Sequence, residues 1–200
     1  MQINGLRDLL GLAFNSFSQP KQSLRRVLDL NLSLTQALQA GVLVVILGMI
    51  IPFLTVSLYT QDEQSVLLPM GDRPIVATLI QFAFLLGLSA MVFIVGKVFK
   101  GQGRFIDALI AMSWLQFVLI GFQVAQLITG LFSPVISAMI FLAGMIAMFY
   151  MLVQFIMEIH GFTKIMPVIA GLFAAFFAGA VLLSIVMSVM GIGPEVVPNV

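Results

Sequence analysis

The sequence predicts an all-α polytopic membrane protein with five transmembrane helices and an N-terminal amphipathic interfacial helix. Three observations predict it. Residues 30–61, 74–96, 108–157 and 165–194 contain no Asp, Glu, Lys or Arg. Hydrophobic residues make up 61% of the 200 positions and charged residues only 8%, with a mean hydropathy of +1.16. A charge at the centre of a bilayer is costly, so such gaps appear where lipid is the solvent. The residues between the gaps are turn formers and charges, which divide the chain into spans.

The N-terminal segment, residues 1–35, is not a span. Ile3, Leu6, Leu9, Leu10, Ala13, Phe14 and Phe17 recur at helical spacing, with Arg7, Asp8, Asn15 and Ser18 largely elsewhere. This stripe suits either an interfacial helix on the inner leaflet or a helix packed on the bundle. A second short helix is predicted from Pro20, with Lys21, Arg25 and Arg26 near anionic headgroups. The first apolar run is too long for a signal-peptide core, so it is expected to be retained.

The first span is placed at about 36–58, opened by a capping box from Ser33 to Gln36 and carrying Pro52 in its outer third. The second, about 74–96, starts on Pro74, a residue suited to a first helical turn. The third charge-free window is too long for one crossing, because 50 residues of straight helix would reach about 75 Å. It breaks at Thr129-Gly130-Leu131-Phe132-Ser133-Pro134, where a Gly stop precedes a Ser cap and a Pro start. That gives spans at about 108–129 and 134–157. The fifth, about 165–190, ends at Gly191-Ile192-Gly193-Pro194. The whole of 1–200 reads as one membrane domain with no soluble one.

Charge then orients the chain. Arg7, Lys21, Arg25, Arg26, Lys97, Lys100, Arg104 and Lys164 fall on one side, and Arg73 alone on the other. The positive-inside bias makes the first side cytoplasmic. The chain is therefore expected in the cytoplasmic (inner) membrane, N-terminus in and C-terminus out. The outer loop Tyr59–Arg73 carries Asp62, Glu63 and Asp72, and the outer tail carries Glu195.

Reactive chemistry is scarce. There is no cysteine and one histidine. Glu158 and His160 form too small a set for zinc, and both are expected to be interfacial residues before a Gly161 turn. Asp107 suits a helix N-terminus. Gly101-Gln102-Gly103 lacks a phosphate-loop pattern and reads as a tight turn. No catalytic, cofactor or metal residue is predicted, and no enzyme activity. Of the membrane glutamines, Gln81, Gln116, Gln123, Gln126 and Gln154, the pair Gln116 and Gln123 shares one face flanked by Ser113 and reads as interhelical hydrogen bonding. Gly171, Ala175 and Gly179, four apart, form a small-residue face for close helix packing, with Ala170, Ala174 and Ala178 beside it.

The stretch Lys97-Val98-Phe99-Lys100-Gly101-Gln102-Gly103-Arg104-Phe105, followed by Ser113-Trp114, resembles the Gly-rich loop and following aromatic of the YIP family, the Ypt/Rab GTPase-interacting proteins. Glu158-Ile159-His160-Gly161-Phe162-Thr163-Lys164 resembles that family's fourth loop. The short N-terminal segment with Phe17 and Pro20 is similar to its bacterial branch. The resemblance covers nearly the whole chain and implies five spans with the N-terminus inside. The chain departs from the pattern in three places. Gln116 and Phe117 stand near an expected proline, the paired glycine before the loop is a single Gly101, and the acidic N-terminal motif of eukaryotic members is absent. The last argues against GTPase binding.

The functional expectation is a non-enzymatic membrane adaptor or accessory protein, in contact with membrane lipids and a membrane-protein partner or larger membrane complex, and with no nucleic acid. It would act through helix contacts and a cytoplasmic face of Lys97, Lys100, Gly101, Gly103, Arg104 and Lys164. The alternative is a small-solute or lipid transporter or channel whose path is lined by Gln116, Gln123 and Gln126.

Overall fold

The computed structural model describes residues 5–57 and 73–189. The outer loop acids, Glu195 and the Gly191–Pro194 stop lie outside them. Seven helices make up the described residues: α1 Leu6–Ser18, α2 Pro20–Leu28, α3 Leu34–Val56, α4 Pro74–Val98, α5 Phe105–Gly130, α6 Pro134–His160 and α7 Met166–Val189. Four of them, α3 to α6, are long and apolar enough to cross a membrane.

Local chemistry starts and stops these helices. The Ser33 hydroxyl accepts from the Gln36 amide at 3.3 Å, and the Gln36 side chain accepts from the Ser33 amide at 2.8 Å, as the Ser-x-x-Gln spacing predicts. Ser133 caps α6 by accepting from the Ile136 amide, with Pro134 at the first helical position. Pro52 lies inside α3. At the end of α6, Gly161 takes the left-handed conformation (φ 68°), and the Phe162 amide returns to the Met157 carbonyl. Such a stop favours glycine because it has no Cβ to clash. α4 ends with Lys100 in the same conformation (φ 62°), and the Gly101 amide bonds the Gly96 carbonyl.

α5 is the centre of the bundle. It packs against α3, α4 and α6, and it touches α1 and α2 as well. Ala108 to Leu115 are all buried, which no other span matches over eight consecutive residues. Its contact with α3 is close because Gly41 and Gly48 face Ser113 and Gln116. A Cβ at either glycine would lie 3.3 Å from the Ser113 hydroxyl or the Gln116 amide nitrogen. The other spans keep broad apolar faces outward, such as Ile75, Leu79 and Phe84 on α4 and Met139, Leu142 and Ile146 on α6. Outward apolar faces suit helices solvated by lipid rather than water.

The two N-terminal helices join the bundle. Leu12 and Ser16 of α1, and Ser23, Leu24 and Val27 of α2, are buried against α5 and α6. The sequence leaves bundle packing and interfacial exposure open, and α1 has both kinds of face. Its apolar stripe of Leu6, Leu10, Phe14 and Phe17 remains exposed beside the docked face.

Candidate functional site

The loop end of α4, α5 and α6 is built around His160. The side chain is 2% exposed, so it is not the interfacial residue its position suggests. Its Nε2 lies 3.2 Å from the Val92 carbonyl oxygen. A carbonyl only accepts, so Nε2 carries the proton and donates. The ring stacks on Phe162 at a centroid distance of 5.5 Å.

Three glycines make room for the imidazole. Gly96 at the end of α4, and Gly101 and Gly103 in the following loop, each approach the ring so closely that a Cβ would overlap it or its immediate neighbours. The mildest of the three, at Gly103, would fall 2.8 Å from Nδ1. The Gln102 amide completes the cradle by donating to the His160 carbonyl at 3.2 Å. Nδ1 has no hydrogen-bond partner among the described residues. The Gly-Gln-Gly turn is thus a fitted socket for a side chain from another helix.

Two ion pairs brace this end. Arg104 holds Asp107 in a two-pronged contact, Nε to Oδ2 at 3.0 Å and Nη2 to Oδ1 at 2.8 Å, while its amide donates to the same Oδ2 at 3.1 Å. Asp107 occupies the first turn of α5, where a carboxylate offsets the helix dipole. The Asp107 side chain, through its hydrogen bond first and its charge second, holds the Arg104 guanidinium above its ordinary value. Arg25 of α2 reaches Glu158 of α6, with Nε 2.7 Å and Nη2 2.5 Å from the same oxygen. Arg25, expected near headgroups, is committed to the protein instead.

The four basic residues singled out in the sequence share this end of the bundle but differ in freedom. Lys97 lies over the Phe93 ring at 5.8 Å from its centroid. Arg104 is paired with Asp107. Lys100 and Lys164 are exposed and form no ion pair with any described residue. The socket role of Gly96 and the centrality of His160 are absent from a sequence-only reading. The signal available is a lone histidine before a glycine, without metal partners, opposite a loop with more glycine than a turn requires.

The helix-packing residues lie elsewhere. Gly171 is buried on α4, where a Cβ would come within 2.9 Å of Val95, and Gly179 faces Met91. Ala175 is half-buried on the same side, and Ala170 and Ala174 face outward. Gln116 packs on Gly48, but neither it nor Gln123 makes the interhelical hydrogen bond its type suggests among the described residues. The Gln123 Oε1 is buried and has no partner among the described residues.

Trp114 ties α1 to the bundle. Its indole Nε1 donates to the Ser16 hydroxyl at 3.1 Å, and that hydroxyl donates to the Leu12 carbonyl at 3.1 Å. The indole also stacks on Phe117.

Comparison with known proteins finds a family. A family model described as the Yip1 domain matches residues 14–191. No curated protein and no solved structure matches significantly.

Proposed function

The chain belongs to the YIP family, and from that premise we propose that it is a non-enzymatic accessory protein of the inner membrane that holds a membrane-protein partner against its basic cytoplasmic face. α7 serves as the fifth span in this reading, since its 24 residues would reach about 36 Å. The N-terminus then lies in the cytoplasm and the C-terminus outside, in line with the basic-residue bias.

The observation that carries the proposal is the socket. By seating His160 among Gly96, Gly101 and Gly103, the protein joins two loops into one surface. Lys100 and Lys164, from different loops, are then presented in a fixed relation. A surface of fixed shape binds with less ordering cost than two separate loops. Positive charge on it steers an acidic partner and speeds encounter more than it adds affinity.

The test is purification of the full chain from membranes in mild detergent. A stoichiometric protein partner is expected with the unaltered chain, and loss of that partner with Lys100→Glu combined with Lys164→Glu. A chain that runs alone in every detergent overturns the reading. So does a partner that the charge reversal leaves bound.

A further inference from the structure

We propose that the groove between the N-terminal helices and α3 binds an acyl chain of one anionic phospholipid, with its phosphate held by Arg26. This inference rests on the groove and not on the adaptor reading. The groove encloses about 210 Å³ and is walled by Leu9, Val27, Leu30, Ala40, Leu43 and Trp114, among others. Among the described residues lining it, only Ser113 has a polar group without a partner, since the Trp114 indole N–H is bonded to Ser16. Apolar cavities of about 150 Å³ already stay dry and take up small hydrocarbons, so water is a poor occupant. Leu30 and Leu43 on its wall remain 45% and 57% exposed, so the groove opens sideways. One wall is the first three turns of α3, a helix long and apolar enough to cross a membrane. What lies beside that opening is lipid.

Charge selects the kind of lipid. Consecutive residues leave a helix about 100° apart, so Arg25 and Arg26 flank the buried ridge of Leu24 and Val27 on opposite sides. Arg25 turns to Glu158 of α6. Arg26 lies about 100° round the helix from Val27, which lines the groove, and it makes no ion pair with any described residue. A guanidinium there is suited to a phosphate, which it can grip through two nitrogens. The exposed apolar stripe of α1, Leu6, Leu10, Phe14 and Phe17, belongs to the same helix as the groove-lining Leu9 and suits contact with lipid.

The chain's one tryptophan lines this groove, which makes the site readable. The full chain is reconstituted in phosphatidylcholine vesicles containing phosphatidylglycerol with brominated acyl chains, and in matched vesicles where phosphatidylcholine carries the bromine. Bromine quenches indole emission on contact. Brominated phosphatidylglycerol is expected to reach half-quenching at about fivefold lower mole fraction, the preference one cation near the anionic surface supplies. Arg26→Gln, an exposed position, should equalise the two lipids while both still quench. Ala40→Phe fills the groove and should weaken quenching by both, with the thermal midpoint confirming a folded chain. Equal quenching by the two lipids in the unaltered chain overturns the anionic site. Quenching by neither means that protein, from this chain or a second copy, closes the groove, and overturns the site altogether.

Discussion

His160 shows how one residue can set the identity of three others. At a helical position such as Gly96, alanine ordinarily stabilises by about 1 kcal/mol over glycine. Here the added methyl would enter the imidazole. The ring is boxed by Phe162 and held by the Val92 carbonyl, so it cannot swing away cheaply. Overpacking of a closed site costs about 1–3 kcal/mol, which outweighs the propensity gain. Gly96→Ala is therefore expected to lower the thermal midpoint in detergent. His160→Ala removes the obstacle, and in that background the same Gly96→Ala should become neutral or stabilising. A double-mutant cycle on thermal unfolding reads this change of sign; additive effects would exclude the socket. Lys100 is a related case at the same loop. It holds the left-handed position at the end of α4, a conformation that glycine adopts without strain. A side chain there carries a backbone cost of about 1 kcal/mol or more, retained at a position that displays an exposed cation.

At the scale of elements, α1 and α2 are docked by polar contacts as much as by burial. The Trp114 indole N–H has the Ser16 hydroxyl as its acceptor, and both side chains are buried. Removing one partner of a buried hydrogen bond leaves the other unsatisfied, at about 1–3 kcal/mol. Ser16→Ala strands the indole donor. Trp114→Phe leaves the Ser16 hydroxyl still bonded to the Leu12 carbonyl, so its polar cost is smaller, although its packing cost is not. Ser16→Ala is thus expected to raise hydrogen exchange across residues 6–18 by about tenfold or more, with exchange in α5 unchanged. Unaltered protection of α1 would show that Leu12 and its apolar neighbours suffice. The Arg25–Glu158 pair contributes less, since the Arg25 side chain is 69% exposed. The same elements show what a sequence makes legible. Caps at Ser33, Ser133 and Gly161 are written within four residues of the backbone they satisfy, so they can be read locally. The docking of α1 could not be read, because the stripe Leu6, Leu10, Phe14 and Phe17 looks alike for a lipid-facing and a protein-facing helix. The residues that decide it, Leu12 and Ser16, lie beside the stripe. The His160 socket was hidden for another reason: its glycines come from another helix and loop, with no periodicity linking them.

At the scale of the whole molecule, the contacts gather the N-terminal helices, the 99–104 loop and the 161–165 loop at one end. Arg25 reaches Glu158 near the end of α6, and His160 enters the loop after α4. Residues joined this way share one side of any membrane that the spans cross. The turn at Thr129–Ser133 lies at the other end of α5, a helix of 26 residues and so about 39 Å long. The basic residues Arg25, Lys97, Lys100, Arg104 and Lys164 all belong to the first end, which is the cytoplasmic one in the proposed orientation, in line with the positive-inside bias. The chain has no cysteine, so single-cysteine variants need no prior engineering. In the proposed inner-membrane placement, a membrane-impermeant maleimide applied to intact cells with a permeable outer barrier is expected to label Phe132→Cys and to spare Lys164→Cys until that membrane is opened. Asn199→Cys should label with Phe132→Cys if α7 crosses as the fifth span. Should Asn199→Cys behave like Lys164→Cys instead, α7 does not cross, the span count is even, and both termini share the cytoplasmic side. Either outcome leaves the proposed cytoplasmic placement of the His160 socket intact, because the socket is built on α4, α5 and α6 alone. Labelling of Lys164→Cys from outside would invert the whole arrangement and remove the basis for a cytoplasmic partner.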